Sequence, residues 1–203
     1  MKLDPTNTTR KAGAFTLIEM IGVLAVIAIL AAVLIPKVFK AINDARISTV
    51  AMGASTVKTA VIDHYAKYGA FDKAAPGITV TIPQSGYDTN VLMVEQLMDK
   101  PFLPRVGTNA YVVVSTCAAA GDTVDGTKSA YNLSGNAANT NEAYGLHIVE
   151  AVVAGVAQAD AAEISARIDG PTMSLTTAGA DIRGRVIYAA GEPTTVRIYL
   201  THR

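Results

Sequence analysis

From Met20 to Pro36 the sequence runs for about 17 residues without a charged side chain. As an α-helix this run rises roughly 26 Å at about 1.5 Å per residue, near the ~30 Å hydrocarbon thickness of a bilayer, so a tilted or slightly extended helix would span it. Lys2, Arg10 and Lys11 lie just before the run. Positive charge is retained on the cytoplasmic side, so a spanning helix here leaves the first residues inside and the larger C-terminal part outside.

Along the run, Gly22, Ala25, Ala28 and Ala32 recur at spacings of three and four and form a small-residue stripe on one helical face. Such a stripe lets neighbouring helices approach closely in lipid or in a lipid-like bundle. Pro36 removes one backbone donor and crowds the carbonyl of Ala32, which predicts a kink or a loosened turn. Beyond it the helical pattern turns amphipathic: Val50, Ala54, Val57, Val61, Tyr65 and Tyr68 follow intervals of three and four, while Lys58, Asp63, His64 and Lys67 lie off that line. Gly69 is the expected stop, which makes the helix about 54 residues and roughly 80 Å long from Phe15. Its second half is expected to rest on a folded domain and its first half to project.

Glu19 is an acidic side chain at the N-terminal edge of the apolar segment. A carboxylate costs about 2.5 to 3.5 kcal/mol at the membrane centre on insertion scales and less near the interface. It either snorkels to the headgroup level or pairs with a cation.

The stretch Gly13-Ala14-Phe15-Thr16-Leu17-Ile18-Glu19-Met20, with the apolar run ended by Pro36, resembles the start of type IV pilins and the related pseudopilins of type II secretion. In that family a short basic leader ends just before a Phe, a Glu lies four residues after it, and a Pro closes the apolar run. Phe15, Glu19 and Pro36 occupy those places. The family usually has Gly directly before the Phe; this chain has Ala14, with Gly13 one place back, and Ala is small enough for cleavage. The resemblance covers Lys11 to Pro36 closely, the helix to about Phe71 more loosely, and the remainder only in general plan.

The resemblance implies an α+β, pilin-like fold in which a long N-terminal helix packs on a C-terminal antiparallel sheet domain. It divides the chain into a cleaved leader (1–14), a transmembrane and assembly helix (15–36), the amphipathic second half of that helix (37–69) and a globular head (70–203). It also implies cleavage between Ala14 and Phe15, N-methylation of Phe15, and pairing of Glu19 with the new amino group of Phe15 on a neighbouring copy. Phe15, Glu19, the stripe Gly22, Ala25, Ala28 and Ala32, and Pro36 are then the assembly residues. The implied partners are further copies of the chain, a prepilin peptidase, an inner-membrane platform and its ATPase, and membrane lipid before assembly. A usual secretory signal is cleaved after its apolar run; here the candidate site precedes it, so the segment survives processing.

In the remainder, Pro76, Gly77, Pro83 and Gly86 interrupt the chain, with Ile78 to Ile82 alternating as a short strand or extended loop. Thr89 to Asp99 reads as a short helix capped by Asp88 or Thr89, and Ala110 to Thr116 as a strand. Gly121 to Asn141 is rich in Gly, Asn, Ser, Thr and Asp and reads as an exposed loop. His147 to Val156 fits a strand by its valines, although a buried helix shares its periodicity. Asp160 and Glu163 form a capping-box pattern for a helix ended by Gly170-Pro171, and Gly184 to Ala189 with Thr194 to Thr201 read as a hairpin.

Equal numbers of basic and acidic residues, 17 of each, give no electrostatic argument for nucleic acid. Cys117 is the single cysteine, so the intrachain disulfide that staples the last strands of many type IVa pilins has no counterpart; the valines before it favour a buried strand thiol. His64, His147 and His202 have no metal-ligand spacing and read as surface or edge residues. Asp122 and Asp125 with Gly126 are weak calcium candidates, since no full ligand series follows; an ordinary turn is the simpler reading, and no cofactor is expected. No nucleophile elbow, phosphate-cradling or dinucleotide-binding glycine pattern occurs, and no enzyme is expected. Two classes of function follow: a filament subunit, of a pilus or as a secretion pseudopilin, and a membrane-anchored extracytoplasmic binding module. A simple anchor has no use for cleavage before its span or for Glu19.

Overall fold

A computed structural model describes residues 15–173, 176–177 and 179–203, with backbone only at 176–177. The chain divides between Asn43 and Asp44 into two compact units. Helix α1 spans Leu17–Tyr68 and contains Pro36. The strands, all paired antiparallel, are β1 (Gln84–Ser85), β2 (Asn109–Thr116), β3 (His147–Val156), β4 (Thr176–Thr177), β5 (Ala180–Asp181), β6 (Val186–Tyr188) and β7 (Thr194–His202), and helix α2 spans Gln158–Ile168. Among the described residues they form one sheet in the order β1-β2-β3-β7-β6-β5-β4. The arrangement is α+β, as the sequence implies.

In the second unit α1 is held by one face. Ile47, Val50, Val57 and Val61 are fully buried, and they share a core with Val112 and Val114 of β2, Val149, Ala151 and Val153 of β3, and Val196, Ile198 and Leu200 of β7. Each buried Val or Ile of that stripe contributes about 1.5 to 3 kcal/mol relative to an exposed position. Period-2 alternation on the strands meets period-3.6 spacing on the helix, and this is what fixes the sheet face turned to the helix. The helix ends at Gly69, which takes φ +75° while its N–H donates to the Tyr65 carbonyl at 2.8 Å. A left-handed residue at that place closes a helix, and glycine takes it without a Cβ penalty.

The opposite sheet face also has a cover. Val124, Ala130, Tyr131 and Ala143 pack with Ile148 of β3 and Ile187 of β6 in a second buried cluster. The segment between β2 and β3 is therefore not simply the exposed loop its composition suggests. Gly126 approaches β6 so closely that a Cβ would lie 2.5 Å from the Tyr188 carbonyl carbon. Within this layer Glu150 is fully buried and accepts hydrogen bonds from Ser129 Oγ (2.8 Å), Tyr131 Oη (2.7 Å) and Arg197 Nη1 (2.6 Å).

Several local expectations require correction. Thr89 to Asp99 is not a regular helix: one π-helical turn spans Asp88–Leu92, followed by turns, with Gln96 at φ 60°. Asp88 does not cap it; its buried carboxylate accepts from the backbone N–H of Phe102 (2.8 Å) and of Val112 (3.3 Å), tying this segment to β2. Helix α2 starts at Gln158, two residues before Asp160, with Ala157 at its N-cap and no side-chain cap bond, so the capping box does not form. Ile78 to Ile82 takes the extended-loop alternative, and Ile78, Val80 and Ile82 pack on the core without a ladder. Strand β3 has the expected bounds and a register shift between Val153 and Val156, where Gly155 takes φ +70°. The C-terminal hairpin pairs Val186 with Ile198 and Tyr188 with Val196.

His64 is not a surface residue. It is fully buried, with Nδ1 2.7 Å from Glu95 Oε2, while Glu95 Oε1 accepts the Ala75 N–H at 2.9 Å. The pair ties α1 to both segments that follow it. Spacing could have shown this, because His64 follows the core residue Val61 by three and so shares its face.

One strand in from the far edge of the sheet lies a buried carboxyl. Asp181 of β5 is buried, accepts from Ser165 Oγ at 2.6 Å and from the Arg183 N–H at 3.1 Å, and has its carboxyl pushed up by burial to about 6. A raised folded-state value means that this group's contribution to stability is fully present below its ordinary value near 4 and is lost as pH rises through about 6. Asp181→Asn is expected to remove up to on the order of 2 to 3 kcal/mol of that loss between these values. Urea midpoints from pH 4 to 7 would check it. Burial also raises Asp169, so a shallower slope of the same sign should persist in the variant. Identical slopes in the two proteins would contradict the assignment.

Candidate functional site: the N-terminal helical segment

Phe15 precedes α1 and is 83% exposed; Ala14 lies outside the described residues. Glu19, Gly22, Ala25, Ala28, Ala32 and Pro36 all lie on α1 and are all exposed. The large apolar side chains between them are exposed too, among them Leu24 at 61% and Ile29 at 67%. None of the most apolar 18-residue window is buried, and its length and composition suffice to cross a membrane. Gly22, Ala25, Ala28 and Ala32 fall within about a third of the helical circumference. A Cβ at Gly22 would meet no atom within 4 Å.

Glu19 has a partner within its own helix. Its Oε2 accepts from the Thr16 backbone N–H at 2.8 Å and from Thr16 Oγ1 at 2.8 Å, while the Glu19 N–H donates to Thr16 Oγ1 at 3.3 Å. This reciprocal exchange is a capping box: Thr16 is the cap, Glu19 the third helical residue, and two backbone donors at the open helix end are satisfied. The carboxylate also lies at the positive end of the helix dipole. The pattern Thr-x-x-Glu directly before an apolar run is a readable signal, and the reading of Glu19 as a membrane charge alone overlooked it. The cap leaves the Glu19 carboxylate exposed.

The weak calcium candidates serve turns. Asp122 Oδ2 accepts the Ala119 N–H at 3.0 Å, and Asp125 Oδ1 accepts from the Thr127 N–H (2.8 Å), Thr127 Oγ1 (2.7 Å) and the Lys128 N–H (3.2 Å). Among the described residues no group of three or more His, Cys, Asp or Glu side chains could hold a metal ion. Cys117 lies one residue beyond β2, half-buried rather than fully buried, and burial pushes its thiol up, away from the thiolate a nucleophile needs.

Residues 9–35 match the family model of the prokaryotic N-terminal methylation motif. That motif is the prepilin-type leader of type IV pilins and pseudopilins, and it supports a pilin-like or pseudopilin-like protein. Proteins with this motif are generally structural rather than enzymatic, and the leader implies a prepilin peptidase and assembly machinery in general. The motif and the apolar helix fit a membrane-anchored pilin. No curated protein and no solved structure matches the chain.

Proposed function

We propose that the chain is a structural subunit of a type IV pilus-like filament, assembled through its N-terminal helix after the leader is cleaved between Ala14 and Phe15. The observation that carries this reading is the methylation motif at residues 9–35, whose large apolar side chains from Leu17 to Ile35 lie on α1 and are exposed. Before assembly, lipid covers that surface, with the leader in the cytoplasm and the C-terminal domain outside. Residues 1–14 are the leader, 15–36 the membrane and assembly segment, 37–69 the amphipathic helix and 70–203 the head. A prepilin peptidase then cuts the chain and N-methylates Phe15, and the platform protein and its ATPase draw the helix from lipid into a bundle of identical helices. There the stripe of Gly22, Ala25, Ala28 and Ala32 allows close approach, Pro36 adjusts the helix, and Glu19 meets the amino group of Phe15 on the next copy.

The same steps serve a type II secretion pseudopilin, whose filament stays in the periplasm, so the two readings share a mechanism and differ in where the polymer ends. Processing separates both from a simple membrane-anchored binding module. Intact-mass and N-terminal analysis of protein from native cells is expected to show loss of Met1 to Ala14 and a methylated Phe15 terminus. A mature chain still beginning at Met1, or cut near Pro36, would overturn the filament reading. Recovery of the protein in a sheared extracellular fraction, against retention in the periplasm, distinguishes pilus from pseudopilin.

A further inference from the structure

A notch of about 150 Å³ lies between the second half of α1, the C-terminal end of α2 and strand β7. It exists because two of the α1 residues lining it, Ala51 and Ser55, have short side chains. Three cations line it from three parts of the chain: Lys58 from α1, Arg167 from α2 and Arg185 from the approach to β6.

The hydrogen bonding of these cations is incomplete. Lys58 is half-buried and makes no ion pair or hydrogen bond to another described residue. Arg185 is held by Nε, 3.5 Å from Asp169 Oδ1, and by Nη2, which donates to the Ile168 carbonyl at 3.2 Å. Its Nη1 has no partner among the described residues. Arg167 uses Nη1 on the Asp44 carbonyl and on Ser48 Oγ, and its Nη2 lies 3.7 Å from Glu163, which leaves Nε free among the described residues. Asp169 and Glu163 thus hold one side of each guanidinium, while Arg185, Arg167 and the unpaired Lys58 line a space that protein atoms do not fill. Fixed Arg forks with a Lys beside them suit oxygen anions, because a guanidinium donates two parallel bonds and an ammonium adds a point charge.

We propose that this notch is a binding site for a compact oxyanion, a carboxylate or a phosphate, with Arg185 and Arg167 donating to its oxygens and Lys58 supplying the uncompensated charge. The proposal is independent of filament assembly, since every residue it uses belongs to the second unit.

The test uses the full chain in detergent, labelled with nitrogen-15 and titrated with sodium phosphate and, separately, sodium acetate, with ionic strength held constant by sodium chloride. Saturable shifts of the Arg185 and Arg167 Nε–H signals are expected with at least one anion, and which anion saturates identifies the preferred chemistry. Lys58→Glu should weaken binding tenfold or more. Ala51→Leu should block it by filling the notch while keeping all three cations. Near-UV circular dichroism verifies that each variant is folded, and Lys58→Glu decides alone if Ala51→Leu is not. Linear, non-saturating shifts with both anions, or unchanged affinity in folded Lys58→Glu, would overturn the site.

Discussion

Replacing Glu150 with alanine is expected to cost about 3 to 5 kcal/mol of folding stability, the usual loss when one partner of a buried ion pair is removed. Three donors converge on this carboxylate, from Ser129, Tyr131 and Arg197, and it sits in the middle of β3 with its side chain 1% exposed. Its removal leaves the Tyr131 hydroxyl buried without an acceptor and the Arg197 guanidinium, 23% exposed, without its counter-charge. A domain of this size has about 5 to 15 kcal/mol in total, so a large share of the stability is at stake. The loss should be local before it is global: amide exchange at Tyr131, whose N–H donates to Asn141 Oδ1 at 2.9 Å, should accelerate before that of β7. The pair Glu150→Leu with Arg197→Met should cost less than the sum of the single changes, because no charge is then stranded. A single Glu150→Ala loss below about 1 kcal/mol in urea denaturation would show that water replaces the carboxylate.

That network also marks where the sequence stops being readable. The strand β3, helix α1 and the β6–β7 hairpin show in local pattern, because valine density, a spacing of three and four, and a Gly-Glu-Pro turn each act within a few residues. Glu150 within His147-Ile148-Val149-Glu150-Ala151 is consistent with a strand whose second face meets water. What covers that face comes from Val124, Ala130, Tyr131 and Ala143, which are spaced without any period in a stretch of turn-forming residues. Only tertiary contact could reveal it. His64 and the Thr16 cap of Glu19 are different: one is legible by its place on the core stripe and the other by a four-residue motif. At the start of α2, a capping-box pattern was present and the helix began two residues earlier, at a residue with no side-chain cap.

On the filament reading proposed above, changing Glu19 to glutamine should abolish sheared filaments without lowering the membrane level of the protein. The capping box makes this substitution more telling than alanine. Glu19 has two separable roles, holding the first turn of α1 through Thr16 and presenting a negative charge at the head of an exposed apolar helix. Alanine removes both: it leaves the Thr16 N–H without its carboxylate acceptor and loosens the first turn, so an assembly defect would have two explanations. Glutamine at the third helical position keeps the capping box, because its amide oxygen accepts from the Thr16 N–H as a carboxylate does. It lacks only the charge. In a bundle of helices packed out of water, an amino terminus of Phe15 facing a neutral amide loses its counter-charge, at a cost of about 3 to 5 kcal/mol for each copy added. Insertion into lipid carries no such requirement and should improve slightly, since a neutral side chain replaces an ionised one. The converse control is Thr16→Ala, which disrupts the cap and keeps the charge. It should leave filaments at reduced yield rather than none. If the yields of the two variants are reversed, with Glu19→Gln assembling normally and Thr16→Ala failing, Glu19 acts through the helix cap alone and the intersubunit pair with Phe15 does not exist.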